Sequence, residues 1–448
     1  MPPRPFVAPA GLDALGHLPG ERGWPMLGHA VEFLRDPRGL THRMHAAHGK
    51  CYRTGFLGIV AVVLLGEDAL ELVLRDREQV FSSERGWSFS LGRLFPNGLM
   101  LRDFDEHRLH RRIMQTAFRR GALSAYTDAM SARFAEALPR WGNVEDFRFY
   151  PAIKKLTLDN AAAIFLGAEL GDEAEAVNRA FVDTIVASLA LVRVPVPGLA
   201  LHRGLAGRAY LETYLRQRIA ARRASPGTDM FSQLCQATDD GGRAFSDDEV
   251  VDHVIFLLMA AHDTVTSALT TTVYQLAASP VWQERLREDS RARSEVLALD
   301  ALDTLELHER VFDESLRLET PVPYIPRRTL REVEFAGQRL PPNTHVTVVP
   351  DFTHHDGRFF TEPERFDPDR FGPERAEHKR HPYAFVPFGG GAHLCIGRQF
   401  SLVLAKAFLH QLVRRYRFRL PAGRKHEMQQ VPIPKPRDGL PLQLERLD

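Results

Sequence analysis

One cysteine lies in a loop whose composition suits a metal-ligating thiolate. The segment from Phe388 to Gly397 places three consecutive glycines before Cys395, and a helical pattern follows. Glycines allow positive φ and close backbone approach, so backbone N–H groups can point at the sulfur. The amino end of the following helix adds a favourable potential for an anion. These residues predict a thiolate that can serve as a proximal ligand to iron.

Four positions in this loop are more specific than the cysteine alone. Phe388, Gly391, Cys395 and Gly397 match the pattern Phe-x-x-Gly-x-x-x-Cys-x-Gly. The segment therefore resembles the haem-binding loop of the cytochromes P450. The resemblance implies that Cys395 ligates the iron of haem b, with Phe388 over the sulfur and both glycines shaping the cofactor-binding loop. It also implies that His393 faces a haem propionate. The other two cysteines of the chain lack this context, and we interpret them as structural.

A second motif lies in the middle of a long predicted helix. Ala260 and Thr264 are four residues apart and therefore share one helix face. A small side chain at Ala260 leaves room for a flat cofactor and dioxygen, while Thr264 can hold bound oxygen or water and Asp263 can connect it to solvent. The segment resembles the acid–alcohol pair of the family's oxygen-activating helix. Many family members have Gly where this chain has Ala261, and we interpret His262 as a core contact.

Two charged residues predict a structural ion network. Glu314 and Arg317 are three residues apart on one helix face, a common pair that has little meaning by itself. The pair resembles the family's Glu-x-x-Arg, which implies a buried triad with a downstream arginine that supports the cysteine loop. Arg365 and Arg370 both lie in a Pro- and Phe-rich segment that could supply this downstream arginine. The longer match to the family's pattern favours Arg370.

Paired cationic donors suit the propionates of a haem. His107 and Arg111 are four residues apart on an early predicted helix, where the family has Trp or His followed by Arg. Arg327, in a predicted strand, resembles the family's strand arginine that contacts a propionate. Arg328 is the alternative at that position.

The elements that must position these residues are mostly helical. Ser246 and Glu249 form a capping box that opens a helix running to Ser279, where Pro280 ends it. Its length of about 33 residues corresponds to roughly 50 Å, enough to cross a domain. Alternating apolar residues near positions 51–64 and 328–349 predict strands. We therefore expect a mainly α fold with a small β subdomain, the cytochrome P450 fold with a long central helix over haem.

Length and composition constrain the organisation further. The 448 residues include no linker or low-complexity tract, so we expect one domain over 1–448, β-rich over about 18–100 and helical over about 101–448. A net charge of +1 gives no global attraction for nucleic acid. Three dispersed cysteines favour a reducing compartment. The sequence shows no signal pattern or membrane anchor, so we expect a cytoplasmic protein.

Apolar segments predict the substrate pocket, and basic residues predict the surface where a redox partner docks. The almost entirely apolar stretch 181–201 and the tail 431–440 are expected to line a pocket for a bulky lipophilic substrate. Individual residues expected in the pocket are Trp87, Phe89, Leu94, Phe95, Ala261, Tyr324 and Ile433. An external ferredoxin or flavodoxin with its reductase is expected to supply electrons. Its docking patch is predicted from Arg108, Arg112, Arg119, Arg120, Lys379, Arg380 and Arg398.

The resemblance implies a monooxygenase that uses dioxygen. Features of the opening and of the strand arginine are similar to the branches that oxidise sterols, retinoids and terpenoids, and fatty acids are a further candidate class. Two alternatives stay open. One is a peroxide-dependent or isomerising haem-thiolate enzyme, a group that often lacks the acid–alcohol pair. The other is a non-catalytic haem-binding sensor.

Overall fold

Helices form most of the chain in a computed structural model that describes residues 6–167, 172–188, 190, 193–423 and 427–447. The α-helices are, in chain order, α1 (Leu12–Leu15), α2 (Ala30–Arg35), α3 (Pro37–His48), α4 (Glu67–Leu70), α5 (Ser83–Leu91), α6 (Phe104–Gln115), α7 (Arg120–Ala137), α8 (Phe149–Leu166), α9 (Asp172–Ser188), α10 (Ala200–Ala224), α11 (Met230–Gln236), α12 (Asp247–Ala278), α13 (Pro280–Arg291), α14 (Leu299–Asp303), α15 (Glu306–Leu318), α16 (Pro350–His354) and α17 (Arg398–Arg415). The prediction of a mainly α fold with minor sheet is confirmed.

Short strands form one larger sheet and three small pairs among the described residues. The strands are β1 (Cys51–Phe56), β2 (Ile59–Leu64), β3 (Phe81–Ser82), β4 (Ile325–Thr329), β5 (Val333–Phe335), β6 (Gln338–Leu340), β7 (His345–Val348), β8 (Tyr416–Arg419), β9 (Met428–Gln429), β10 (Lys435–Pro436) and β11 (Gln443–Arg446). The larger sheet has the order β1-β2-β7-β4-β3.

The larger sheet joins distant parts of the chain. β1 and β2 form an antiparallel hairpin across Leu57 and Gly58, both at positive φ, and β7 pairs parallel with β2. The expected β-rich unit over residues 18–100 is therefore corrected: this region also contains α2, α3 and α5, and its strands need β4 and β7 to complete the sheet. A buried strand must pair on both sides, which a local hairpin cannot provide.

The long helix α12 begins and ends where the sequence predicts. The Ser246 hydroxyl accepts from the Glu249 N–H at 3.3 Å, and the Glu249 carboxylate accepts from the Ser246 N–H at 2.9 Å. Pro280 begins the next helix. Of the helices in the described ranges, α12 is the one long and apolar enough to cross a membrane, yet 72% of its most apolar window is buried inside the protein. It is thus a core helix around which the other helices pack.

The cysteine loop lies between two hydrophobic cores. The main core surrounds α12 and includes α17, which is buried at most positions from Phe400 to Val413. The second core lies under the larger sheet and includes Leu74. A side chain at Gly391 would clash with the Leu74 carbonyl oxygen, so the loop approaches the second core more closely than any other residue permits.

Candidate active site

The loop from Phe388 to Gly397 holds Cys395 through its backbone. Gly389 and Gly391 adopt positive φ of 72° and 62°, which lets the loop reverse direction twice. The Cys395 N–H donates to the Phe388 carbonyl at 2.9 Å, and this bond closes the loop. Cys395 then precedes α17 by three residues. The loop geometry predicted from the glycines is therefore present.

The Cys395 sulfur faces an internal cavity rather than bulk solvent. Its exposed surface lines the cavity, while protein surrounds the residue on its other sides. Burial raises the pKa of the thiol, although a hydrogen bond from the Gly397 N–H and the charges of Arg111 and Arg398 act in the opposite direction. Burial is the largest of these effects, and the Gly397 N–H and the two arginines oppose it.

The other two cysteines have no such surroundings. Cys51 and Cys235 are buried, and burial raises the pKa of each thiol to about 11. Both are therefore inert thiols, as expected for structural residues.

A cavity of about 630 Å³ separates the cysteine loop from α12. Cys395 lines it from the loop, and Ala260, Asp263 and Thr264 line it from the helix. The volume lies in the range of cofactor and ligand sites. The two motifs with the strongest chemical signal therefore meet at one enclosed space.

Thr264 has a defined hydrogen-bond direction. Its hydroxyl donates to the Ala260 carbonyl at 2.7 Å, one helical turn earlier. Because the donor is used inside the helix, the oxygen has lone pairs available to accept a hydrogen bond from the cavity. Thr264 is thus a positioned acceptor beside the small side chains of Ala260 and Ala261, which also line the cavity.

Asp263 belongs to an ion cluster that leads toward solvent. One of its carboxylate oxygens lies 3.1 Å from His262 Nδ1 and 3.4 Å from Lys154 Nζ. Burial raises the pKa of Asp263, but the bond and charge of His262 and of Lys154 outweigh it, so the pKa lies below its ordinary value. The Lys154 side chain is 35% exposed. His262 is buried as expected, and it contacts Asp263 as well as the apolar core.

Four basic side chains gather on the cavity wall. The rings of His107 and His393 are 3.9 Å apart, Arg111 donates to the Leu394 carbonyl at 2.6 Å, and Arg327 lines the cavity beside them. Burial and the nearby Arg111 and Arg327 charges lower the pKa of His107 to about 4. Burial lowers the pKa of Arg327 to about 10.

This cationic group fits an anionic cofactor. His107 Nδ1 is buried with no hydrogen-bond partner among the described residues, and mutual repulsion destabilises the charged forms of the group. Carboxylates placed here would relieve both penalties. Arg328, the alternative to Arg327, points away and bonds Asn343 and the Val7 carbonyl. The two propionates of a haem therefore suit the residues that the sequence suggested.

The expected triad is assembled and buried. Arg317 donates to both Glu314 carboxylate oxygens at 2.7 and 2.9 Å, and Arg370 donates to one of them at 3.0 Å. All three side chains have 0% exposure. The Arg365 side chain is 66% exposed and pairs with Glu362 instead. Arg370 is therefore the third member.

A histidine that the sequence did not single out connects the triad to the cysteine loop. Arg317 donates to the His354 carbonyl at 2.9 Å, and His354 Nε2 accepts from the Val386 N–H at 3.0 Å. Burial lowers the pKa of His354 to about 3, so the ring is neutral and able to accept. Val386 lies two residues before Phe388, where the cysteine loop begins.

The pocket expectations are met only in part. Trp87, Phe89, Tyr324 and Ile433 line the cavity. Leu94 and Phe95 do not, and their assignment is wrong: both are fully buried in the main core, because the chain turns inward after α5.

Within the stretch 181–201, some residues line the cavity and others are exposed to solvent. Ile185 and Ser188 line the cavity, whereas Val194 and Val196 are about half exposed to solvent. Residues 189 and 191–192 of this stretch lie outside the described residues. Apolar composition alone does not distinguish a cavity wall from an exposed loop.

The fold and the site together suit a protein that binds an anionic cofactor beside a cysteine, and known proteins identify the family. A sequence model of the cytochrome P450 family matches residues 18–441. Cytochrome P450 136 of Mycobacterium tuberculosis is 41% identical over 99% of this chain and 92% of its own length. Cytochrome P450 120 of Synechocystis is 28% identical over 99% of this chain and its whole length.

Other relatives have a stated activity or a bound ligand. The beta-amyrin 28-monooxygenase of Vitis vinifera is 27% identical over 95% of this chain and 91% of its own length. A solved structure of cyanobacterial CYP120A1 with retinoic acid bound has a TM-score of 0.87 and 29% identity, covering 96% of this chain and 99% of that one.

The chain belongs to the cytochrome P450 family. It is a cytochrome P450 monooxygenase, and the family implies a haem-iron cofactor. The predictions of family, fold and enzyme class are thereby confirmed.

The buried triad predicts a contrast between two arginines. Arg370→Ala leaves the fully buried Glu314 carboxylate with Arg317 as its one cationic partner and should lower the free energy of unfolding by about 3–5 kcal/mol. Arg365→Ala is the matched control, because it removes an exposed side chain and should change that energy by less than about 0.5 kcal/mol. Denaturant unfolding and haem content of the purified holoproteins measure both. Equal losses in the two variants would contradict the assignment.

Proposed function

We propose that this enzyme uses haem b to hydroxylate a bulky lipophilic substrate, with electrons from an external ferredoxin or flavodoxin. The observation that carries the proposal is that Thr264 and Asp263 line the same cavity as Cys395. When bound, the haem iron supplies dioxygen activation, with one oxygen atom entering a C–H bond and the other leaving as water. The remaining chemistry is positioning and proton supply by side chains.

The cofactor is held from two directions in this proposal. Cys395 is the metal ligand, and Phe388, Gly391 and Gly397 shape its loop. On the wall beside it, a group defined here as the basic cluster binds the propionates; its members are His107, Arg111, Arg327 and His393. The charges support this arrangement, because an anionic cofactor supplies the carboxylates that the buried basic side chains lack.

Protons reach the cavity through Thr264 and Asp263. The Thr264 oxygen accepts a hydrogen bond from water in the cavity, since its own proton is committed to Ala260. Asp263 exchanges protons with solvent along the partly exposed Lys154, whose ammonium lies 3.4 Å from the carboxylate. His262 and Lys154 hold the pKa of Asp263 below its ordinary value, so its resting form is the carboxylate.

The lining of the cavity supports a lipophilic substrate. Most lining residues are apolar, and they include Trp87, Phe89, Phe256 and Ile433. Relatives act on or bind compounds of this kind: one is named as a monooxygenase of beta-amyrin and one has retinoic acid bound. Sterols, terpenoids, retinoids and fatty acids are therefore the classes to screen.

The redox partner would dock on exposed basic residues near the cysteine loop. Arg111 of α6 contacts the loop through Leu394, and Arg112 is exposed beside it. Several expected patch residues are neutralised: Arg108 pairs with Asp105, and Arg120 with Asp300 and Asp303. Arg112, Arg119, Lys379 and Arg398 are exposed and form the patch in this proposal. A cytoplasmic location would place the enzyme with such reductants.

Removing the Thr264 hydroxyl tests the proton role. Thr264→Ala should slow product formation by about 100-fold, the low end of what a positioned proton-transfer group contributes, and should divert electrons to hydrogen peroxide. Thr264→Ser retains the hydroxyl and is the matched control. Product and peroxide formed per NADPH measure the coupling, with ferredoxin-supported and peroxide-supported turnover compared. Equal coupling in Thr264→Ala and the parent, or turnover with peroxide alone, would instead favour the peroxide-dependent alternative.

Charge reversal tests the docking patch. Arg112→Glu combined with Arg119→Glu should slow reduction by ferredoxin about tenfold at low salt and weaken its dependence on ionic strength, since steering depends on the local field. Arg140→Glu, an exposed arginine at the end of α7, is the control. Stopped-flow reduction measures the rates. A loss as large in the control would place the docking surface elsewhere.

A further inference from the structure

One part of the cavity wall carries hydroxyl groups instead of hydrocarbon. Thr41 of α3, Tyr52 of β1 and Tyr324, which immediately precedes β4, all line the cavity. The Tyr324 hydroxyl lies 3.3 Å from Thr41 Oγ1, and the Tyr52 hydroxyl lies close to the same threonine. These three residues are defined here as the hydroxyl cluster.

The protons of the hydroxyl cluster are committed within the protein. Thr41 donates to the Pro37 carbonyl at 2.8 Å, so in its contacts with the two tyrosines it can only accept. Tyr324 must therefore be the donor to Thr41. What remains for a ligand is the lone pairs of the two tyrosine oxygens. The cluster thus offers acceptors to a molecule in the cavity and suits a group that donates.

The nearest cation is also committed. Arg38 and Tyr324 both border a small neighbouring cavity. The Arg38 guanidinium donates to both Asp351 oxygens at 2.7 Å, to Glu319 at 3.0 Å and to the Leu318 carbonyl at 2.5 Å. A ligand carboxylate near Tyr324 would meet these two acids rather than a free guanidinium. Its charge would be left uncompensated at a buried position.

Elsewhere on the cavity wall, the described residues include no arginine or lysine that is available to a substrate carboxylate. Among the described residues that line the cavity, the arginines are Arg111 and Arg327, and no lysine is present. Both arginines belong to the basic cluster, which holds the haem propionates in the proposed function. His345 also lines the cavity, and burial lowers its pKa to about 4, so it is neutral.

Apolar rings surround the hydroxyl cluster. Phe33 packs edge-on against Tyr324 with ring centroids 4.8 Å apart, and Phe56 packs edge-on against Phe33 at 5.4 Å. His29 and Thr54 also line the cavity, but they bond each other at 2.9 Å and His29 Nε2 lies 3.5 Å from Glu21. The tyrosine oxygens are therefore the main partners for a polar group of a ligand beside these rings. A ligand group placed here must therefore match the cluster or remain unsatisfied.

We propose that the substrate is a lipophilic alcohol, whose hydroxyl donates a hydrogen bond to Tyr324 or Tyr52, and not a carboxylic acid. The inference rests on the proposed function and narrows its substrate class. Sterols, triterpenols and other terpenoid alcohols have this chemistry, whereas fatty acids and retinoic acid do not. The anchoring hydroxyl is distinct from the one that the reaction introduces.

A set of three ligands with one carbon skeleton tests the proposal. Abietadiene, abietadienol and abietic acid differ in one terminal group, which is a methyl, a hydroxymethyl and a carboxyl group respectively. Dissociation constants are measured on the holoenzyme by the Soret shift and, independently of the iron, by quenching of tryptophan fluorescence. The alcohol should bind about fivefold more tightly than the hydrocarbon, the effect of one net hydrogen bond. The acid should bind more weakly than both.

Variants of the two tyrosines test whether the hydroxyl cluster causes the tighter binding of the alcohol. The double variant Tyr52→Phe with Tyr324→Phe should abolish the alcohol's advantage over the hydrocarbon and leave the affinity for the hydrocarbon unchanged. Thr54→Val is the matched control, because it removes a hydroxyl that lines the cavity outside the cluster and should preserve the advantage.

Three outcomes overturn the inference, and they differ in meaning. An acid that binds as tightly as the alcohol, or an advantage that survives in the double variant, contradicts the hydroxyl cluster alone. Equal affinity for all three ligands also contradicts the hydroxyl cluster alone, and it leaves the proposal of a lipophilic substrate intact. Failure of all three to bind a protein with a normal thiolate spectrum contradicts the lipophilic substrate class as well.

Discussion

The position of the Cys395 sulfur depends on one fully buried carboxylate. Glu314 accepts hydrogen bonds from Arg317, Arg370 and the Asp367 N–H, and so ties α15 to the irregular segment that precedes the cysteine loop. Arg317 extends the connection to His354, whose ring holds the Val386 N–H. A buried charge with excellent geometry is costly to disturb, because any missing partner leaves an uncompensated ion. The loop is therefore fixed by electrostatics as well as by its glycines.

Different regions of the cavity wall supply different chemical groups. The cysteine loop supplies a sulfur that faces the cavity, and burial raises the pKa of its thiol. The basic cluster supplies charge for anionic groups, and α12 supplies a committed hydroxyl at Thr264 and an ionised carboxylate at Asp263. The remaining wall is mostly apolar, with the hydroxyl cluster as its polar exception. Each region thus suits one part of a monooxygenase reaction on a lipophilic molecule.

Local motifs were predictable from the residues themselves, whereas long-range contacts were predictable only where the family resemblance implied them. The cap of α12, the glycine loop and the Ala260–Thr264 face depend on neighbours in sequence. Arg327 was separable from Arg328 only through the family, because strand residues alternate sides and the sequence did not say which side is the cavity. Lys154, His354, Thr41 and Tyr52 were missed, since residues that contact one another here are distant in sequence: Thr41 and Tyr324 are 283 residues apart. Leu94 and Phe95 were misplaced because core and cavity wall share one composition.

The most direct test of the account replaces each cysteine in turn and records the carbon-monoxide spectrum of the reduced haem protein. The parent, Cys51→Ser and Cys235→Ser should all show the spectrum of a thiolate-ligated haem, because both of the latter residues are buried away from the cavity. Cys395→Ser should lose that spectrum while the helical content of the protein is retained. A thiolate spectrum that persists in Cys395→Ser, or that disappears in either of the other variants, would contradict the central claim that Cys395 is the iron ligand.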